Sequence, residues 1–316
     1  MADALVSAPV AVTAGVVAAA LIIVASRKVS RINREDILPL MGVMGAFVFA
    51  AQMINFSIPG TGSSGHIIGG VLLAALMGPW AAFITLASVL IIQCLIFADG
   101  GLMALGCNLI NMAAMSCLVA YPLLYRPIAG NSLKKWRVMA ASVVACIVGL
   151  ELGALLVTGE TELSGITALP TSQFLMFMLP IHLAIGLCEG LATGVVLCFV
   201  MSYRPEMLYR PGVQNEYSGK SEKLTKRSKV VISVFAGLAI VMGVAFTWVA
   251  SSDPDGLEWS ISKLTGSTEL APAVTPVTAL MPDYDSTFAG VLGGLIVVAL
   301  IWGFCSIIFR KRHVKA

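Results

Sequence analysis

The sequence predicts an all-α polytopic membrane protein: a seven-span bundle followed by a two-span C-terminal unit, with the N-terminus outside and the C-terminus inside. Three observations carry this. First, 58% of the 316 residues are hydrophobic and only 12% are charged, about half the charged share of soluble domains. Second, several uncharged apolar runs approach or exceed the ~18–20 residues that cross a bilayer. No ten-residue segments of alternating polarity suggest a β-barrel. Third, Lys and Arg gather in a few clusters between apolar runs, as cytoplasmic loops require.

The first span, about 9–25, has no basic region before it and so does not read as a cleavable signal. Arg27, Lys28, Arg31 and Arg34 follow it and place its end inside. The second span, about 37–56, returns outward into Asn55-Phe-Ser-Ile-Pro59-Gly-Thr-Gly-Ser-Ser-Gly65-His66. This polar, glycine-rich stretch therefore shares the outer face with the N-terminus. Residues 67–98 are too long for one crossing and are broken at Gly78-Pro79, since proline removes a backbone donor and ends or kinks a helix. Two crossings, 67–78 and 79–97, put the end of the next span (about 102–122) inside, beside Arg126, Lys134, Lys135 and Arg137. The short half is about 18 Å long, so it has to be buried among other helices.

A sixth span covers about 138–157, with Glu160 and Glu162 in its outer loop, and a seventh covers about 173–201. The basic stretch 202–229 then divides the chain into a membrane domain (1–201), a cytoplasmic linker (202–229) and a C-terminal unit (230–316). That unit has spans at about 230–250 and 287–309 and a basic end, Arg310-Lys-Arg-His-Val-Lys315. Small-x-x-x-small patterns at Gly149–Gly153, Gly186–Gly190–Gly194 and Gly290–Gly294 permit close helix approach.

His66 is the residue most in need of a role. It could cap a turn or bind water. Alternatively it could ligate a metal, because neutral imidazole is a common ligand for Ni, Co, Cu and Zn. One histidine does not hold an ion, and His313 lies on the opposite face; His182 and the N-terminus are the candidate partners. The intramembrane polar groups are Gln52, Asn55, Gln93, Asn108, Asn111, Glu151, His182 and Glu189. They are either functional or stiffen the bundle by bonding between helices. His182 and Glu189, seven apart, share one helical face. The seven cysteines, Cys94, Cys107, Cys117, Cys146, Cys188, Cys198 and Cys305, lie in apolar segments without a C-x-x-C pair. They suggest neither disulfides nor a thiolate metal site. Gly219-Lys220-Ser221 lacks the first glycine and the strand of a phosphate-binding loop, and no H-E-x-x-H or nucleophile arrangement suggests an enzyme.

Several motifs in order carry a family resemblance. Pro39-Leu-Met-Gly-Val-Met-Gly-Ala-Phe-Val-Phe-Ala-Ala-Gln-Met-Ile-Asn55 is followed by Gly62-Ser-Ser-Gly-His66 and Leu76-Met-Gly-Pro-Trp80. Leu95-Ile-Phe-Ala-Asp-Gly-Gly-Leu102, Ala104-Leu-Gly-Cys-Asn108 and His182-Leu-Ala-Ile-Gly-Leu-Cys-Glu-Gly190 come next. Together they resemble the cobalt/nickel substrate-binding subunits, CbiM and NikM, of energy-coupling factor transporters. In the tail, Asp253-Pro-Asp-Gly-Leu-Glu-Trp259 and Met281-Pro-Asp-Tyr-Asp285 resemble the companion subunit, CbiN or NikN, with its PDGLE signature.

The resemblance implies an S-component bundle in a bacterial or archaeal plasma membrane that captures Co2+ or Ni2+, for cobalamin synthesis or nickel enzymes. It implies a transmembrane coupling (T) subunit and cytosolic ATPase (A) subunits as partners, no nucleic acid, no catalytic cofactor, and no enzymatic activity in this chain. The family holds its ion with the N-terminal amine, the amide and side chain of a histidine after the initiator Met, and the histidine of the Ser-Gly-His loop. His66 matches the last of these. The chain begins Met1-Ala2-Asp3, and Asp3 aligns with the Asp of the family opening Met-His-x-x-Asp, so a Met-His pair is expected just upstream of Met1. Asn55, Asp99, His182 and Glu189 are the expected supporting polar residues. The alternative reading is a secondary transporter of a divalent metal or other cation working through Glu151, Glu189 and His182. It would call for inverted repeats, and none is evident.

Overall fold

The computed structural model describes residues 1–32, 37–131, 134–210, 226–245, 250–268, 270, 280 and 287–313. Arg34, most of the basic linker with Gly219-Lys220-Ser221, and Met281-Pro-Asp-Tyr-Asp285 lie outside the described residues. The described chain is helical apart from one hairpin. In order it forms α1 (Ala8–Val29), α2 (Ile37–Gln52), β1 (Phe56–Ile58), β2 (Ser63–Gly65) and α3 (Gly70–Met77). Then come α4 (Pro79–Phe97), α5 (Leu105–Ala129), α6 (Lys135–Ser164) and α7 (Thr171–Tyr203). The C-terminal part adds α8 (Lys226–Ala245), α9 (Gly256–Thr265) and α10 (Thr287–His313).

Five helices, α1, α4, α5, α6 and α7, are long and apolar enough to cross a membrane. Helix α2 and the cores of α8 (Ile232–Val244) and α10 (Ala289–Gly303) are shorter apolar helices. Their outward faces stay apolar: Val12 and Val16 on α1, Met176 and Val195 on α7, and Leu295 on α10 are all exposed. Soluble monomers seldom expose so much contiguous apolar surface.

The break at Gly78-Pro79 is where the sequence puts it. Gly78 has φ +83, and a Cβ there would come within 2.8 Å of the Tyr209 ring, so both backbone and space demand glycine. Pro79 then opens α4, where its missing N–H costs nothing. All eight residues of α3 are buried, as so short a segment requires.

Elsewhere the boundaries shift for local reasons. Helix α2 stops at Gln52 rather than at 56, because Phe56 pairs with Gly65 in the hairpin. Helix α5 runs to Ala129, past Pro122, because it winds as a π-helix over Leu109–Tyr125; such winding relieves the backbone at a proline. Helix α6 extends to Ser164, so Glu160 and Glu162 sit at its C-terminal end rather than in a loop. The acidic segment between the last two apolar helices contains α9, where the sequence suggests only loop.

Two packing features fix the helices that surround the N-terminus and the hairpin. Gly186, Gly190 and Gly194 of α7 lie against Ile147, Val143 and Met139 of α6. A Cβ at Gly190 would fall 2.5 Å from Val143 Cα. The two longest helices thus touch backbone to backbone, as the small-residue spacing implies. The tail joins the bundle on α2: Phe47 and Phe235 meet edge to face at 5.2 Å, and Gly45 leaves room for Val297 and Ile301.

Candidate functional site

A cavity of about 110 Å³ opens where the N-terminus, the hairpin, α5, α6, α7 and α9 converge. Its polar lining comprises Met1, His66, Asn108, Asn111, His182 and Asp255.

The N-terminal segment is tied down residue by residue. The Met1 carbonyl accepts from the Gly101 N–H at 3.1 Å and the Asn108 side-chain amide at 3.3 Å. Asp3 Oδ1 accepts from the Ala104 N–H at 3.0 Å. A Cβ at Gly101 would collide with the Asp3 carboxylate, so the glycine exists to admit that side chain. Leu5 and Val6, both fully buried, anchor the segment from behind.

His66 is delivered by the hairpin. Ser57 pairs with Ser64 and Ile58 with Ser63, across a turn in which Gly60 (φ +80) and Gly62 (φ +70) take left-handed conformations. Thr61 Oγ1 donates to the Ile58 carbonyl at 2.8 Å and accepts from the Ser63 N–H at 3.1 Å. After His66 the backbone is clamped from two sides. Glu189, 1% exposed, accepts the N–H of Ile68 on one carboxylate oxygen and that of Gly69 on the other, both at 2.9 Å. On the far side, the Gln52 amide donates to the Ile68 carbonyl at 2.9 Å and accepts in turn from Gln93 at 2.8 Å.

His182 faces the same space. Its Nδ1 lies 2.7 Å from the Met178 carbonyl. A carbonyl only accepts, so Nδ1 carries the proton and Nε2 keeps its lone pair.

The family model for the cobalt uptake substrate-specific transmembrane region, CbiM, matches residues 1–207. The chain belongs to the CbiM family. A second family model, the PDGLE domain, matches residues 229–310. A relative named as a fused nickel transport protein, NikMN of Archaeoglobus fulgidus, is 32% identical over 280 residues, covering 85% of this chain and 86% of its own. Two crystal structures described as a transition metal transporter and a truncated form are 29% and 31% identical, with TM-scores of 0.58 and 0.56. They cover 69% and 64% of this chain and 97% and 98% of their own. This CbiM-family chain is thus a multi-pass membrane protein of the cobalt/nickel transport proteins, fused to a PDGLE unit.

In the CbiM-family frame the PDGLE motif has a physical reading. Asp255 caps α9, accepting from Leu257 N–H at 2.9 Å and Glu258 N–H at 2.8 Å, and Glu258 accepts from the Asp255 N–H, a complete capping box. The Pro254 carbonyl accepts the Ser64 N–H at 2.8 Å, and the Asp253 carbonyl accepts Ser64 Oγ at 2.7 Å. Trp259 Nε1 donates to the Thr61 carbonyl at 3.0 Å. Gly256 lets the turn sit on α7, since a Cβ there would lie 3.1–3.3 Å from Ile185, Ile181 and His182. The motif therefore closes the His66 hairpin over the cavity.

Of the expected site residues, His66 and His182 meet in the cavity. Glu189 does not line it and instead supports the backbone after His66. Asn55 and Asp99 stand apart: the Asn55 carbonyl accepts the Ser251 N–H at 2.8 Å, and Asp99 is exposed at the end of α4. Glu151 also lies outside the lining. The sequence alone assigned no site role to Asp255 or Gly256, although their motif was visible, nor to Gly101. Among the described residues, no group of three or more His, Cys, Asp or Glu is arranged to hold a metal ion. A metal in this cavity therefore needs donors besides the side chains of His, Cys, Asp and Glu.

Proposed function

We propose that this chain is the substrate-capture subunit of an ATP-driven energy-coupling factor importer of Co2+ or Ni2+, lying N-out and C-in in a bacterial or archaeal plasma membrane. The observation that carries this is the meeting of the N-terminus and His66 in one cavity. In this reading residues 1–201 form the metal-binding domain, 202–229 the cytoplasmic linker and 230–316 the PDGLE unit. A T subunit and cytosolic ATPases supply coupling and energy.

The ion is the cargo. His66 supplies one imidazole nitrogen, and a Met-His pair in front of Met1 supplies an amine, an amide and a second imidazole. Nitrogen ligands of this kind suit Ni2+ and Co2+ in near-planar geometry. The cavity supports the reading by its size. One water needs ~10–15 Å³, and about 110 Å³ accommodates a histidine side chain together with an ion. Glu189 has both carboxylate oxygens engaged with backbone N–H groups, which speaks against its serving as a mobile proton carrier in a secondary transporter.

Two measurements test the proposal. The mass of the mature chain should show a Met-His opening. Uptake of Ni2+ or Co2+ in a host lacking its own importer should require the T and A subunits. Uptake that persists without the ATPases would instead establish the secondary transporter.

The PDGLE unit assists loading by seating the His66 hairpin. Gly256→Val overfills its contact with Ile181, His182 and Ile185, and overpacking of this kind costs ~1–3 kcal/mol. We expect metal uptake to fall about tenfold (~1.4 kcal/mol) with unchanged amounts of protein in the membrane. Uptake at the wild-type rate would remove this role.

A further inference from the structure

We infer that Glu189 is the positioning residue for His66, and that it acts on the cargo only through that imidazole. The inference rests on the metal-capture reading above. Glu189 holds the N–H groups of the second and third residues after His66, one on each carboxylate oxygen at 2.9 Å. With the Ile68 carbonyl held by Gln52, and Gln52 by Gln93, the backbone at 68–69 is fixed from α2, α4 and α7 together.

Helix α7 supports the preceding residue as well. Ile185 lies against Gly65, where a Cβ would fall 2.5 Å from its Cγ1. Residues 185 and 189, four apart, stand on one helix face beneath the two ends of the His66 segment. His66 thus has a fixed base on either side, while its ring faces the cavity.

The carboxyl group of Glu189 is well matched to this task, since each of its two oxygens accepts one backbone N–H. Two backbone donors side by side need two acceptor oxygens, and an ionised carboxylate is the side chain that offers both without presenting a donor. Glutamine would satisfy one N–H and turn its own NH2 toward the other. Aspartate has the oxygens but is one methylene too short to reach both. Directly behind the cavity lining, Glu189 resembles the outer groups that orient a ligating imidazole in metal sites, whose loss costs 10–100-fold in affinity.

The test is a double-mutant cycle on the full-length protein purified in detergent, titrated with Ni2+ and with Co2+. Glu189→Gln is expected to weaken binding 10–100-fold and to displace the visible ligand-field band of the Ni2+-saturated protein, because the imidazole then meets the ion in a changed orientation. In a His66→Ala background, Glu189→Gln should change the residual affinity by less than about twofold, as for residues acting through one interaction. Gln52→Met, which releases the Ile68 carbonyl from the other side, should act in the same direction and lose its effect in the same background. This second variant carries the test if Glu189→Gln does not fold.

Wild-type affinity in Glu189→Gln overturns the inference. So does an unshifted band at saturation, or an effect that multiplies with His66→Ala. If His66→Ala alone binds both ions as the wild type does, the metal-capture reading fails and the inference fails with it.

Discussion

His66→Ala is expected to abolish useful capture of Ni2+ and Co2+ while leaving the apoprotein folded. Loss of a group that merely orients a ligand costs 10–100-fold, so removing the ligand itself should weaken binding by at least about 100-fold. The fold should tolerate the change because the contacts that hold this segment among the described residues do not run through the His66 ring. The hairpin pairs through backbone, the clamp grips residues 68 and 69, and the PDGLE contacts fall on Thr61 and Ser64. Substitutions away from such features usually lie within ±0.5 kcal/mol, so the thermal midpoint of the apoprotein should barely move. Binding in the wild type should also weaken on acidification, because the nitrogen ligands must be free of protons to meet the metal. Titration of the purified chain across pH checks both expectations. Retention of tight binding by His66→Ala would place the site elsewhere.

The parts of this molecule legible in the sequence are those written in local chemistry. Apolar runs and basic clusters mark the helices, and Gly78-Pro79 marks the break that buries α3. The Gly186–Gly190–Gly194 ladder predicts the close contact with α6. His66 stands out because a lone imidazole in a glycine-rich loop between apolar helices has no packing role. What stayed hidden depends on partners distant in the chain. Ser63 and Ser64 read as part of a polar, glycine-rich stretch, yet they form a strand whose donors are met by Pro254 and Asp253, about 190 residues away. Glu189 reads as a supporting polar residue or a transporter's relay group, because an intramembrane carboxylate is a functional suspect. Only the backbone of Ile68 and Gly69 shows what its two oxygens hold. The capping box of Asp255 and Glu258 was spelled out in the sequence, but its helix lay in an acidic segment with too few apolar residues to draw notice.

Gly101→Val is the complementary experiment, directed at the N-terminal half of the cavity, and its effect on metal capture should rival that of His66→Ala. Gly101 does not have positive φ, so backbone strain is not the issue; space is. A Cβ at 101 would clash with the Asp3 carboxylate and approach Asp3 N to 2.5 Å. The valine must therefore expel Asp3, breaking its bond with the Ala104 N–H and pulling Met1 away from Gly101 and Asn108. Each such bond contributes ~0.5–1.5 kcal/mol net, so losing two or three releases the segment by about 1–4.5 kcal/mol, equivalent to roughly 5–1500-fold in affinity if the N-terminus carries ligands. Leu5 and Val6 remain buried beyond the point of damage, so the chain stays attached to the bundle and only the residues entering the cavity are freed. Labelling by an amine-specific reagent distinguishes the outcomes. In the wild type, Ni2+ should protect the terminal amine. In Gly101→Val the amine should label rapidly with or without the ion. If Gly101→Val displaces the N-terminus and yet binds Ni2+ at full strength, the N-terminus is not a ligand, and His66 must find its partners among His182 and the groups around it.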